Sequence, residues 1–254
     1  MLRGLYTAYT GMEAQQHKMD VVANNLANAS TNGYKQDNVV FKSFSEVLAV
    51  KINDPEMKSN HKIGRMTLGV QVDNIYTNFE QGALSFIEDP LSLALEGEGM
   101  FTIGKLNEDG TYTERFTRDG SFTLDQNRNL VTKDGAYVLG ENGPITVPAG
   151  QFSVNQDGTM LVNNERIDQI QLTSFNDLLG LKKIGSSQFE QTDRTEKIAF
   201  TGSLRQGYQE ASNVNSVKEM VDMITLQRTY EANQKVLTTY DDTLDNVVNN
   251  VGRV

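Results

Sequence analysis

The chain has 254 residues, of which 38% are hydrophobic and 22% are charged, and these proportions are typical of a globular protein. A formal net charge of -10 argues against nucleic acid or anionic lipid as a partner, because both attract clustered lysine and arginine. The absence of cysteine excludes disulfides, cysteine-ligated zinc and thiol catalysis.

The N-terminal part of the chain is predicted to be a helix. Residues 12–32 contain neither glycine nor proline, the strongest breakers of regular structure. Side chains suited to an interface recur at alternating steps of three and four residues, which is the heptad spacing of a coiled-coil seam. The predicted seam positions of this helix are Leu5, Met12, Gln16, Met19 and Leu26.

The first residues do not resemble a targeting signal. The segment MLRGLYTAYTGMEAQQHK lacks the unbroken apolar stretch of a signal peptide. No segment approaches the roughly 18 apolar residues that a membrane span requires. We therefore expect no membrane insertion, and we expect any export to use a route that reads no cleaved signal.

The predicted helix ends in the stretch NNLANASTNGYK. Asn24, Asn25 and Asn28 are poor helix formers, because their short amides compete for nearby backbone groups. Their spacing of three and four residues brings the three amides close together on the helix surface. The sequence therefore places several amide donors and acceptors at one point, just before the Asn-Gly pair that ends the helix.

The middle of the chain is predicted to be rich in strands. Residues 35–75 form a connecting segment, with a short helix predicted over VVFKSFSEVLAV (39–50) and a polar loop after it. In residues 76–207, runs that alternate in polarity are separated by turns that contain glycine. Strands at this spacing predict an antiparallel β domain, either a sandwich or an open barrel.

A second helix is predicted at the C-terminal end, where residues 209–251 contain neither glycine nor proline. A separate apolar track from Val214 to Ile224 indicates that its first turns pack against more than one neighbour. The predicted seam positions of this helix are Met220, Met223, Gln227, Tyr230, Gln234, Leu237 and Leu244.

Glutamines interrupt the two seams at Gln16, Gln227 and Gln234. One interpretation is ordinary tolerance of polar side chains at an exposed edge. The other is that buried amides fix the register and the number of partners, at some cost in stability. The sequence leaves both open.

No pattern in the sequence predicts a catalytic, metal or cofactor site. His17 and His61 are the two histidines of a chain without cysteine and do not by themselves make a zinc site, and no G-x-S-x-G motif occurs. Glu96 and Glu98 could imitate a glycosidase pair, but the glycines between and after them leave no walled pocket. We predict a protein that is not an enzyme. A cell-wall-lytic enzyme and a secreted adhesin-like β protein are the alternatives from other classes.

Segments along nearly the whole chain resemble one family. The motifs NNLANASTNGYK and ASNVNSVKEMVDMITLQRTYEANQKV resemble the two ends of the bacterial flagellar axial proteins, which are rod, hook and hook-associated subunits. In the middle, LSLALEGEGMFTI, RFTRDGSFTLDQNRNLVTKDGAYVLG and LRQGYQEASNVN are similar to β-domain segments of flagellar basal-body rod proteins.

The resemblance implies an α+β fold in which the terminal helices pair as an antiparallel coiled coil and an all-β domain is inserted between them. The helical core would contain residues 1–34 and 208–254, the connecting segment residues 35–75, and the β-rich outer domain residues 76–207. Many copies would form a hollow helical tube that passes torque from the motor to the hook.

The resemblance also implies a role for the asparagine-rich stretch and a set of partners. Gly33 would adopt the αL conformation that turns the chain out of the tube core at Tyr34, and Asn24, Asn25 and Asn28 would bond to a neighbouring subunit. The partners would be other copies of the chain, other rod and hook subunits, and the flagellar type III export apparatus. The location would be the extracytoplasmic flagellar basal body. Length and the motifs MTLGVQVDNIYTNFEQGALSF and GYQEASNVN favour the distal rod subunit, with a proximal rod or hook-type subunit as the alternative.

Overall fold

The structure is a computed structural model, and it describes the chain in the ranges 2–44, 47–51, 61–67, 69–106 and 111–251. The chain divides into two compact units. The helical unit contains residues 1–26, 37–76 and 216–254, and the β unit contains residues 27–36 and 77–215.

The helical unit is built mainly from the two ends of the chain. Its helices are α1 (Leu2–Ala27) and α2 (Ser216–Asn246), and a π-helical turn at Val247–Val251 follows α2. Among the described residues, no helix is both long enough and apolar enough to cross a membrane.

Two short sheets complete the helical unit. β1 pairs with β4, and β2 pairs with β3 in antiparallel register. The strands are β1 (Asp37–Ser43), β2 (Val47–Lys51), β3 (His61–Met66) and β4 (Val70–Thr77).

The short helix predicted over residues 39–50 is wrong, because the described residues of this segment form β1 and β2. The runs VVF and VLAV contain several β-branched residues, whose stiff side chains favour the extended backbone of a strand. The polar loop predicted after the helix falls partly on residues 52–60, which lie outside the described residues. Most of its remainder forms β3 and β4, so the loop is wrong there.

The two helices of the helical unit run antiparallel. A Cβ atom placed on Gly4 would lie 2.6 Å from the hydroxyl oxygen of Tyr240, and one on Gly11 would lie 3.5 Å from Nδ2 of Asn233. Moving seven residues forward on α1 therefore moves seven residues back on α2. A third contact, between Asn25 and Glu219, continues the same register.

The β unit contains the remaining strands, and its strand pairs are antiparallel. They are β5 (Leu84–Phe86), β6 (Leu93–Glu96), β7 (Met100–Leu106), β8 (Tyr112–Thr117), β9 (Thr123–Leu124), β10 (Leu130–Val131), β11 (Tyr137–Gly140), β12 (Gly143–Pro144), β13 (Phe152–Val154), β14 (Thr159–Val162), β15 (Glu165–Gln169), β16 (Leu172–Phe175), β17 (Lys182–Ile184), β18 (Gln188–Glu190), β19 (Lys197–Ala199), β20 (Ser203–Gln206) and β21 (Tyr208–Glu210).

The largest sheet of the β unit has the strand order β17-β18-β8-β7-β11-β10-β9. β12 adjoins β11, while β16 lies between β7 and β19. A separate sheet has the order β13-β14-β15, and the two-stranded pairs β6-β20 and β5-β21 join the start of the unit to its end. The predicted order of N-terminal helix, central antiparallel β region and C-terminal helix is confirmed.

One apolar cluster forms the main core of the β unit. The rings of Phe101 and Phe122 meet edge to face at its centre, with their centroids 5.1 Å apart. A smaller cluster contains Met100, Phe116, Phe175 and Phe189. The buried members of the main core are Leu93, Leu95, Phe101, Ile103, Phe122, Leu130, Ala136, Val138, Ile145, Val147, Val154, Met160, Val162, Ile170 and Leu204.

Candidate functional site

The side chains of the predicted α1 seam are only partly buried. Gln16 is exposed, whereas the apolar positions are half-buried. Gly4 and Gly11, which lie beside the predicted seam, approach Tyr240 and Asn233 of α2. The half-buried seam residues are Leu5, Met12, Met19 and Leu26.

The predicted seam of α2 divides in the same way. Met220, Gln227 and Gln234 are exposed in the single chain, and Met220 retains 45% of its accessible surface. The other predicted positions, Met223, Tyr230, Leu237 and Leu244, are half-buried. Between them, the less exposed line of α2 passes through Glu219, Leu226, Asn233 and Tyr240.

An apolar face of α2 is left exposed at the start of the helix. Val217 retains 65% of its accessible surface, Val221 57% and Ile224 50%. Since these residues are three to four positions apart, they lie on one side of the helix. Together with Met220 they form what we call the α2 apolar face. Clustered exposed apolar side chains of this kind mark interaction surfaces.

Asn25 is buried in the helical unit, unlike its exposed neighbour Asn24. Its Nδ2 donates to the carbonyl oxygen of Asp37 at 2.9 Å, and its Oδ1 accepts from the Asp37 N–H at 3.0 Å. Nδ2 also lies 3.4 Å from a carboxylate oxygen of Glu219, which is itself buried. Asn25 thus joins the end of α1 to the start of β1 and to the first turn of α2.

The chain turns sharply after α1, and this turn belongs to the β unit. Asn28 is half-buried, and its Oδ1 accepts from the Thr31 hydroxyl at 3.2 Å. Gly33 has a φ angle of 65°, the αL value that glycine adopts without steric cost. The Gly33 N–H donates to the carbonyl oxygen of Glu210 at 2.8 Å. The turn is therefore attached directly to strand β21.

Beyond the turn, the β unit contains a buried group of charges that we call the ion-pair node: Lys35, Arg118 and Glu210. Lys35 Nζ lies 2.6 Å from one carboxylate oxygen of Glu210, and Arg118 Nε lies 2.6 Å from the other. The three side chains are each at most 5% exposed. One carboxylate is therefore shared by two cations that come from distant parts of the sequence.

Backbone groups complete the ion-pair node. Lys35 Nζ donates to the carbonyl oxygen of Glu80 at 2.8 Å, and the N–H of Gly82 donates to Glu210 at 2.9 Å. Arg118 donates through Nη2 to the carbonyl oxygens of Leu95 at 3.1 Å and Gly97 at 2.6 Å. Its Nη1 donates to the carbonyl oxygen of Gly99. The guanidinium thus holds the turn between β6 and β7.

Burial lowers the pKa of the Lys35 ammonium below its ordinary value of 10.5. The loss of hydration outweighs the attraction of the Glu210 carboxylate, and the Arg118 charge acts in the same direction as burial. Burial therefore disfavours the charged form of Lys35, and the Glu210 carboxylate beside it favours that form.

Tyr34 is fully buried beside the node. Lys183 Nζ lies 4.0 Å from the centre of its ring, a cation–π distance, and donates to the carbonyl oxygen of Lys35 at 2.9 Å. The residues predicted to lead the chain out of the helix are thus fixed inside the β unit.

Sequence reasoning missed the three charged residues of the ion-pair node. Each is the last residue of a three-residue motif that contains an aromatic side chain: GYK, FTR or YQE. A charged residue this close to an aromatic one is the signal that could have identified them. Charged residues are buried almost only when paired, but the sequence does not show which partner a charge finds.

The carboxylates predicted as an alternative lytic site lie at the turn between β6 and β7 that Arg118 holds, but outside the ion-pair node. Glu96 and Glu98 are both exposed, and Glu96 accepts from Arg205 Nε at 2.8 Å in a surface ion pair. Within the described residues, no group of histidine and carboxylate side chains is arranged to hold a metal ion.

Three family models match successive parts of the chain. "Flagella basal body rod protein" matches residues 5–35, "Flagellar hook protein FlgE/F/G D1 domain" residues 94–162, and "Flagellar basal body rod FlgEFG protein C-terminal" residues 205–251. The first match contains the turn and Lys35, the second contains Arg118, and the third contains Glu210 and α2. The ion-pair node therefore joins all three matched segments.

Full-length relatives agree with these matches. The flagellar basal-body rod protein FlgG of Borreliella burgdorferi is 35% identical over 272 residues, which cover 100% of both chains. FlgG of Buchnera aphidicola subsp. Schizaphis graminum is 35% identical over 261 residues, covering 96% of this chain and 98% of that one. The flagellar hook-basal body complex protein FlhO of Bacillus subtilis is 31% identical over 275 residues, again covering 100% of both.

Proposed function

Because this chain belongs to the flagellar basal-body rod protein family and is a structural subunit of the flagellar basal body, not an enzyme, we propose that it polymerises with its own copies into a hollow helical rod that transmits torque. The observation that carries this proposal is the α2 apolar face. Val217 and Val221 are each more than half exposed on a helix that otherwise buries few residues. In a polymer, these side chains would be covered by neighbouring subunits.

The helical unit would form the inner wall of this rod. The contacts of Gly4 with Tyr240 and of Gly11 with Asn233 keep one antiparallel register, which supports a coiled-coil pairing of α1 and α2. We propose that the β unit packs as an outer sandwich-like domain. Residues 1–34 and 208–254 would supply the core, residues 35–75 the connection, and residues 76–207 most of the outer domain.

The seam and asparagine residues would then have two kinds of partner. The half-buried Met223 and Tyr230 would pack against α1 of the same subunit, while the exposed Met220, Gln227 and Gln234 would contact neighbouring subunits. Of the asparagines at the end of α1, the exposed Asn24 would contact a neighbouring subunit. Asn25 bonds to the backbone of Asp37 in its own chain.

We further propose assembly with other rod and hook subunits, export by the flagellar type III apparatus, and the distal rod position, with the proximal rod or hook-type position as the alternative. The relatives named FlgG support the distal position, because the motifs that favoured it lie in the segments that they share.

Seeded polymerisation of purified full-length protein tests the proposal. Replacing Val217→Ser and Val221→Ser together removes apolar surface that a neighbour would bury at about 1.5–3 kcal/mol per side chain. We expect the critical concentration for growth on rod seeds to rise at least about 100-fold, with the helix content of the dilute chain unchanged. The matched control is Thr225→Ser with Thr229→Ser, two exposed positions beside the α2 apolar face. Equal growth of both double variants would refute the proposal.

A further inference from the structure

The last strands of the β unit pair with its first strands. β20 lies along β6 in antiparallel register, with Leu204 opposite Leu95, and β21 lies along β5, with Glu210 opposite Leu84. Leu204 and Leu95 are both buried members of the main core. The core therefore lacks one wall until the residues of β20 are present.

Residues after β20 also bind the turn that follows α1. Asn32 Nδ2 donates to Gln209 Oε1 at 2.5 Å, and the Gln36 N–H donates to Asn213 Oδ1 at 2.8 Å. Asn213 Nδ2 donates in turn to the carbonyl oxygen of Asn78 at 2.9 Å. The segment 203–213 thus contacts both the beginning of the β unit and its first strands.

The ion-pair node makes this closure electrostatic as well as apolar. Within the part of the chain that the structure describes, Glu210 is the carboxylate that contacts Lys35 and Arg118. Without it, two cations would be buried with only neutral acceptors around them. Leaving buried charge uncompensated is strongly destabilising, whereas a fully paired group is tolerated.

We propose that residues 203–213 are a closing latch, and that the β unit cannot reach its stable fold before the closing latch is available. A chain is synthesised from its N-terminus, and under the proposed export route it would be delivered in the same order; only this second step rests on the proposed function. The β unit then stays incompletely folded until residue 213 has been synthesised or exported. At that point little more than α2 has still to be synthesised or exported.

Hydrogen exchange of the dilute full-length protein, followed by mass spectrometry of peptides, tests the closing latch without any assembly. Glu210→Gln keeps the side-chain shape and removes the counter-charge. We expect the protection of β7, β8 and β11, which contain none of the latch residues, to fall by at least about 100-fold, together with that of β5 and β6. Complete loss of protection throughout the β unit would be the extreme form of the same result.

Two further variants make the outcome decisive. Leu204→Ala leaves a cavity beside β6, and we expect it to lower the protection of β7 and β8 by the same factor as that of β6. Glu96→Gln, which breaks the exposed pair with Arg205, should leave all protection within about threefold of the parent. If Glu210→Gln and Leu204→Ala affect only residues 30–36 and 203–213, the closing latch is a local clamp and the proposal is overturned.

Discussion

Gly33→Ala perturbs the turn at which the chain leaves α1. Gly33 has a φ of 65°, and holding an alanine in the αL region costs about 1–2 kcal/mol. A Cβ atom at this position would also lie 2.6 Å from the carbonyl carbon of Arg118 and 2.7 Å from Cα of Asp119. Because these are backbone atoms, relief requires the two segments to move apart, which adds about 1–3 kcal/mol. We therefore expect a total loss of about 2–5 kcal/mol in the free energy of unfolding.

Gly135→Ala is the matched control for this substitution. Gly135 has a φ of 78°, but nothing lies within 4 Å of the position that its Cβ would occupy. It should therefore lose only the conformational contribution of about 1–2 kcal/mol. Equilibrium urea unfolding of the dilute full-length protein, followed by circular dichroism of the β signal, measures both variants. Equal losses for Gly33→Ala and Gly135→Ala would show that the turn is not packed against residues 118–119.

Substitutions of Asn25, Phe101 and Lys35 test three other parts of the structure by the same unfolding measurement. Asn25→Ala should cost about 1–3 kcal/mol, because it leaves the Asp37 backbone groups and Glu219 without their amide partner. A loss of less than about 0.5 kcal/mol would contradict the buried role of Asn25. Phe101→Ala, at a fully buried position, should cost about 3–5 kcal/mol of stability. Its control, Phe86→Ala, at a position that is 64% exposed, should cost less than about 1 kcal/mol. A small loss for Phe101→Ala would show that Phe101 is not part of the core. For Lys35, the lowered pKa means that the unfolded chain binds more protons than the folded chain between the folded pKa and 10.5, so this group should make stability rise with pH in that window. The Lys35→Met variant should lack that rise, and a difference between parent and variant that is flat or falls with pH would contradict the pKa direction.

The ends of the chain were the part of the fold most open to prediction from the sequence. The stretch 12–32, without glycine or proline, contains most of α1. The stretch 209–251 contains all of α2 and the π-helical turn after it. Heptad spacing was visible, but the line of α2 that faces inward contains Glu219 and Asn233, whereas apolar Val217 and Met220 face outward. Hydropathy favours the apolar side chains for an interface. It therefore indicates which side chains favour burial at an interface, but not which of them the chain buries itself.

The connecting segment and the ion-pair node could not be predicted in the same way. In residues 39–50, a short apolar run is compatible with a helix or a strand, and pairing with β3 and β4 decided in favour of strands. Lys35, Arg118 and Glu210 are far apart in sequence, and each alone is an ordinary charged residue. The pairing of β21 with β5 places Glu210 in the fold, while Arg118 follows β8 and Lys35 follows the turn after α1, so the three meet only in the folded β unit.

Under the proposed function, α2 is fully covered only when subunits assemble. Amide exchange of residues 216–246 measures this coverage in the dilute full-length chain and in rods grown from seeds. We expect weak protection of α2 in the dilute chain and at least about 100-fold stronger protection in rods, with the core strands of the β unit nearly unchanged. Equally strong protection of α2 in the dilute chain and in rods would refute assembly as the source of its coverage.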